Sequence, residues 1–296
     1  MEHIVVAIHD GDFHADEVFA IVVFQMIFGE ALVVVKTRDQ RIMDAADYRV
    51  DVGGRYDPET NDFDHHAPAE SGARPNGVPY ASFGLVWKHF GQQVCNDAEV
   101  AELVDRRLVQ GIDALDSGVR LIEKETFPGV SALNVTTMIS SFNPTSFEED
   151  RDQNAAFFEA VRWARLVLER TLAQAQAQVR AHENVRRALA RADDPRIIVL
   201  DRDYPWYKAV ITGSAQALYV ISPRKDGHWS IEAVRKNAGD FELRRPFPAA
   251  WGGKNSHELP ALTGVAEAFF CHEKLFKAVA LTREGAVALA RLALES

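Results

Sequence analysis

The sequence predicts an α/β protein, with a larger parallel-sheet domain followed by a smaller α+β domain. Across residues 3–52, short β-branched runs alternate with helical stretches, the pattern of a parallel sheet with crossover helices. A long helical stretch over 148–192 closes that domain, and "ADDPR" at 192–196 marks a boundary. Beyond it, strand-like runs are followed by helix-like ones. The expected domains are therefore 1–192 and 193–296.

The elements follow in order. "HIVVAI" is a strand, "EVFAIVVFQMIF" the helix after it, and "ALVVVKT" a second strand. "DQRIMDAAD" reads as a short helix and "YRVDV" as a third strand. From "SFGLVWKHF" to "LVDRRLVQGIDALDSGV" the pattern is helical, broken by a loop around Asn96. Asn143-Pro144 ends one element, because proline forbids simple continuation. In the long helix, Phe157, Phe158, Val161, Ala164 and Leu168 form an apolar stripe. The second domain is expected to contain strands "IIVL", "KAVIT", "ALYVIS" and "WSIEAV", then helices "LTGVAEAFF" and "EGAVALARLAL".

At 47% hydrophobic and 26% charged residues the composition is that of a globular protein. No apolar run approaches the length of a membrane span, and no signal peptide is read. Cys95 and Cys271 are too few for a disulfide framework or a thiolate zinc site, so a cytoplasmic location is expected. The net charge is −10, and residues 1–70, with 15 acidic and 5 basic residues, carry all of the excess. A multivalent cation site needs such a concentration of acids. In the opposite sense, residues 162–191 hold seven arginines against Glu169 and Glu183, a face able to steer a polyanion or simply to meet solvent.

Three fragments concentrate the chemistry. "HDGDFHADE" brings His9, His14 and Asp16 to the end of the first strand, with Asp10 and Asp12 as alternatives. Asp51 follows the third strand in "VDVGG", where a buried carboxylate must be paired or metal-bound. It is suited to bridging two ions. "DFDHH" holds adjacent histidines, one able to ligate and the other to face a substrate, while Asp64 orients one of them. In "GIDALDSG", Asp113 and Asp116 stand one helical turn apart, and either completes the set. His9 and Asp51 fall at the carboxyl ends of strands, the edge where open α/β sheets collect ligands. Oxygen and nitrogen donors without sulfur suit manganese, zinc or iron rather than calcium.

These motifs occur in the order and near the spacing of those in the DHH phosphoesterases. The chain most resembles the melanocyte proliferating gene family, a DHH-like branch of metal-dependent hydrolases or RNA exonucleases. The resemblance covers nearly the whole chain, including "KTRD", "FNPT", "PWYKAV", "RRPFP", "FFCH" and "TREGAVALA". It implies a Rossmann-like first domain and a second domain that clamps substrate. It further implies that His9, His14 and Asp51 hold one ion, and Asp16, Asp51, His65 and Asp113 the other. His66, oriented by Asp64, would face the scissile phosphate, and Arg38, His272, Lys274 and Arg283 would contact substrate. The cofactor expected is two divalent ions, manganese first, then magnesium or zinc.

The expected activity is 3'-5' exonucleolytic cleavage of single-stranded RNA or short oligonucleotides, and a homodimer is compatible with the sequence. Two departures bear on the substrate: Ala278-Val279 replaces a glycine pair of the family, and Gly252 stands where arginine is expected. The alternatives are a small-nucleotide phosphatase or phosphodiesterase, and a non-catalytic metal-binding protein.

Overall fold

Four of the five residues of Ile4–Ile8 (β1) are β-branched, and they form an inner strand of the first sheet. In this computed structural model, which describes residues 3–67, 71–122, 127, 129–130, 132–237, 239 and 241–296, the chain divides into two units. These are Met1–Gln176 and Ala177–Ser296.

In the first unit, β1 pairs in parallel with β2 (Leu32–Lys36) on one side and β3 (Tyr48–Val50) on the other. Then β5 (Asp62–Phe63) joins β3 in parallel, and β4 (Tyr56–Asp57) closes the edge antiparallel, giving the order β2-β1-β3-β5-β4. The parallel sheet expected for this part of the chain is present. Strands β4 and β5 were not legible in advance, because two residues cannot display an alternation.

Helix α1 (Ala15–Phe28) has Ala15 through Phe24 all buried. A helix apolar on every side belongs in an interior. It packs on α3 (Ser82–Cys95), with Phe19 against Phe83 at 5.3 Å and Phe24 against Phe90 at 5.4 Å between ring centroids. The short helix α2 (Gln40–Ala45) is capped by Asp39, which accepts from the Arg41 N–H. Helices α4 (Ala98–Val104) and α5 (Gln110–Asp116) are joined by a π-helical turn over Asp105–Val109, and α6 (Val135–Ser140) follows.

Helix α7 (Gln153–Ala190) runs through the division between the units. Phe157, Val161, Ala164 and Leu168 are buried, but Phe158 is 37% exposed and leaves the expected stripe.

The second unit has the order β6-β7-β8-β10-β9, from Ile197–Val199, Tyr219–Pro223, Trp229–Ala233, Lys277–Ala280 and Ala268–Cys271. Only β6 and β7 are parallel; the other pairs are antiparallel. Alternate residues serve opposite faces. Tyr219, Ile221, Ile231 and Ala278 pack with Leu289 and Ala290 of the last helix, α10 (Arg283–Glu295). Ile198, Val220 and Val234 instead pack with Val185, Trp206 and Val210.

Two expected elements differ. "KAVIT" lies in a helix, α8 (Tyr207–Gly213), whose Val210 N–H bonds to the Trp206 carbonyl and whose Val210 side chain is fully buried. Tertiary burial of Val210 overrides the strand propensity of its β-branched neighbours. "LTGVAEAFF" is not one helix. The helix α9 (Leu259–Thr263) stops at Gly264, whose φ is 71°, and the residues after it supply β9. Ala278 and Val279 lie in β10 with their side chains buried.

Candidate metal centre

The carboxyl ends of β1, β3 and β5 bring the acid and histidine motifs together. His9 follows β1 and is buried; its Nε2 lies 3.1 Å from Glu17 Oε1 and 3.3 Å from Asp51 Oδ2. Asp51 follows β3 with φ at 54°, a left-handed conformation that a residue with a side chain adopts rarely. That turn aims the carboxylate inward. Its Oδ1 accepts from the Ser82 hydroxyl at 3.2 Å and lies 3.4 Å from His65 Nε2 and 3.5 Å from His66 Nδ1.

The helix start supplies the opposite wall. His14 caps α1, and its N–H donates to Glu17 Oε1 at 2.8 Å. Asp16 and Glu17, in the first turn of a helix buried as far as Phe24, are sealed from solvent. Neither carboxylate oxygen of Asp16 has a hydrogen-bond partner among the described residues, and nor has Glu17 Oε2. Such orphaned buried oxygens are costly unless a cation or donor meets them.

His65 Nε2 lies 3.0 Å from Asp116 Oδ2 and 3.8 Å from Asp16 Oδ2. Asp64 is buried; it accepts from the Gly54 N–H at 2.6 Å and holds His66 Nδ1 at 2.6 Å. The His66 ring stays largely exposed at the mouth of a cavity of about 980 Å³, which His14, Asp51 and Arg38 also line.

Three groups place ligand atoms within 4.8 Å of one another: His9, His14, Glu17 and Asp51; Asp51, His65 and His66; and His14, Asp16 and Asp116. Asp51 belongs to two of them, as does His14. These residues could hold metal ions, and the orphaned oxygens of Asp16 and Glu17 fit that use.

The electrostatics agree. Burial opposes charge on His9, but Asp51 and Glu17 outweigh it and raise its pKa to about 10. Burial likewise opposes His65, and Asp116 and Asp51 lift it to about 10. Burial works against Asp51 ionisation too, yet His65 and His9 hold its carboxyl far below the usual range. Asp16 goes the other way. Burial, then the charges of Asp51, Glu17 and Asp116, push it well above that range. The imidazolium charges on His9 and His65 thus stand in for positive charge that the carboxylates require.

Asp113 stands apart from these groups. It is fully buried, accepts from the Gly84 N–H at 3.0 Å, and lies 2.8 Å from Arg74 Nη1. Arg74 also pairs with Asp105 at 2.7 Å. Asp113 is therefore held by a guanidinium, and Asp116, one turn on, meets His65. Asp62 of "DFDHH" is similarly committed, between Arg49 and Arg55.

Arg38 pairs with Asp10 at 2.7 Å at the cavity rim. The remaining substrate candidates are in the second unit. His272 follows β9, its Nδ1 accepting from the Lys274 N–H at 3.0 Å, with Lys274 exposed. Arg283 opens α10 and lines a cavity that neither His272 nor Lys274 lines. Sequence reasoning missed Glu17. The signal was its place three residues after His14, the spacing of a capping box, at the head of a helix apolar on every side.

An α/β fold with acids and histidines gathered at strand ends defines a candidate metal-dependent protein. Residues 5–294 match the family model MYG1_exonuc, described as "Uncharacterised protein family (UPF0160)", and the chain belongs to this MYG1 family. It is 30% identical to "MYG1 protein C694.04c" of Schizosaccharomyces pombe, over 98% of this chain and 97% of that protein. It is 29% identical to "MYG1 exonuclease" of Homo sapiens, over 97% of this chain and 84% of that protein. To the "MYG1 protein" of Chlamydia pneumoniae it is also 29% identical, over 97% and 95%. No solved structure matches.

Proposed function

We propose that the chain is a divalent-metal-dependent phosphoesterase, acting as a 3'-5' exonuclease on single-stranded RNA or short oligonucleotides. One observation carries it: the buried carboxylates of Asp16 and Glu17, with orphaned oxygens, cluster with His9, His14, Asp51 and Asp116, which line one strand-end cavity. The exonuclease names of the human and bovine relatives support the nucleic-acid substrate.

On this reading His9, His14 and Glu17 hold one ion, and Asp16, His65 and Asp116 the other, with Asp51 between them. Asp116 replaces Asp113, because Arg74 occupies Asp113. Donors of oxygen and nitrogen alone suit manganese. The two ions would supply Lewis acidity, activating water and offsetting charge on the phosphodiester. Asp64 fixes the His66 ring through Nδ1, which leaves Nε2 to meet the phosphate. Arg38, turned toward Asp10 at the rim, is a second phosphate contact. No described helix is long and apolar enough to cross a membrane.

The test uses metal-stripped protein and end-labelled short RNA and DNA, with manganese, magnesium or zinc added, beside Asp51→Asn. Stepwise release of mononucleotides from the 3' end of RNA, absent in the variant, is expected. Absence of cleavage of any oligomer by metal-loaded protein would overturn the proposal.

A further inference from the structure

The second unit holds a cavity of about 520 Å³ built wholly from its own residues. Two helix faces wall it. Arg187 in the last turn of α7 and Arg191 just past its end are four residues apart, and Arg283 and Arg291 are eight apart on α10. Between them lie Ile197 and Val199 of β6, an edge strand that pairs only with β7 among the described residues. Asp201 stands just beyond the carboxyl end of β6.

Four guanidiniums around one hollow repel one another, and Asp193, Asp194 and Asp201, three acids against four bases, offset them in part. Among the described residues neither Arg191 nor Arg291 forms an ion pair, and Arg283 has only Glu284 at 3.9 Å. Asp194 lines the same hollow but is engaged by Arg196, at 2.7 Å. Asn184 donates to the Tyr204 hydroxyl at 2.8 Å, which braces the wall beside Asp201. The arginine run over 162–191 thus ends at a shaped site with an apolar floor.

We propose that this cavity binds a ribonucleoside 5'-phosphate group. The arginines take the phosphate, for which planar guanidinium donors are suited. Ile197 and Val199 receive the base, and Asp201 accepts from the ribose hydroxyls, as acids at strand ends do in other nucleotide sites. The hollow has the size of a small-ligand site. Asp193 and Asp201 at its edge disfavour a bare polyanion and favour a unit that brings hydroxyl donors. The bound group is either a free nucleotide or one residue of an RNA strand.

The experiment is calorimetry on the full chain in EDTA, with AMP, dAMP and a five-nucleotide RNA titrated separately. One AMP per chain is expected, with dAMP weaker by ~10-fold for a lost hydrogen bond to a charged group. The double variant R191A/R291A, altered at exposed positions, is expected to weaken AMP ~10-fold or more, and D201N to erase the preference over dAMP. Binding of the RNA but not of AMP, with the same arginine dependence, assigns the site to the strand; AMP binding assigns it to the free nucleotide. Absence of binding by both, or binding unmoved by R191A/R291A, overturns the proposal. EDTA silences the metal centre, so the proposed hydrolysis can fail while this site stands, and the reverse.

Discussion

Arg74 and Asp113 form a buried ion pair at 2.8 Å, and that pair fixes the helix turn from which Asp116 reaches His65. Gly84 lies against it so closely that an added Cβ would meet Asp113 Oδ2 at 1.8 Å. Gly84→Ala is therefore expected to destabilise the chain by ~1–3 kcal/mol, the range for overpacking. Arg74→Met is expected to cost more, ~3–5 kcal/mol, because it removes the buried partner that Asp105 and Asp113 share. Urea unfolding of the first-unit transition checks both, and values within error of wild type would remove the pair from its structural role.

The same carboxyl gives a pH signature. Burial pushes Asp113 up to about 7, although Arg74 and the Gly84 N–H pull against it. The folded chain therefore keeps this proton at pH values where the unfolded chain, with a carboxyl near ~4, has released it. Stability from this group is greatest below ~4 and falls as pH rises through about 7. The wild-type free energy of unfolding minus that of Asp113→Asn should decline between pH 5 and 7. A difference that stays flat, or rises, contradicts the assignment.

Much of this site was legible because it follows from local pattern. His9 follows a β-branched run and Asp51 a short strand-like one, and strand ends in parallel sheets gather ligands. That Arg74 engages Asp113 while Asp116 meets His65 was not legible, since Arg74 approaches from elsewhere in the chain. Glu17 looked like an ordinary first-turn acid until α1 proved to be buried on every side. "KAVIT" misled for a similar reason: burial of Val210 against Trp206 and Val185 outweighs β propensity, and no local window contains Val185.

Asp16 supplies a test by metal removal. Its carboxylate is buried beside Asp51, Glu17 and Asp116 without a donor. Asp16→Asn is expected to stabilise the metal-free chain by ~1 kcal/mol or more, by replacing a carboxyl whose ionisation burial and its acidic neighbours oppose. It should also abolish the stabilisation that manganese gives wild type, which grows with metal concentration by mass action. Thermal unfolding with EDTA and with manganese reads both effects. A variant that loses metal-free stability while keeping the manganese response would contradict the site.

Asp51 separates backbone from chemistry. Its φ of 54° is tolerated by asparagine better than by most residues, so Asp51→Asn should keep the fold and lose the charge. Asp51→Val should lose both, since β-branched side chains resist that conformation. Far-UV circular dichroism and unfolding midpoints are expected to match wild type for Asp51→Asn and to fall for Asp51→Val. Equal folding of the two would show that the left-handed turn is not required.

The central claim is that these clusters form one binuclear metal centre around Asp51. Its most direct test is metal content: wild type and Asp51→Asn, loaded with manganese and dialysed side by side, then quantified by mass spectrometry. The account predicts two ions per wild-type chain and fewer than one in the variant, both proteins remaining folded. No retained metal in wild type, or equal content in the two, would contradict it.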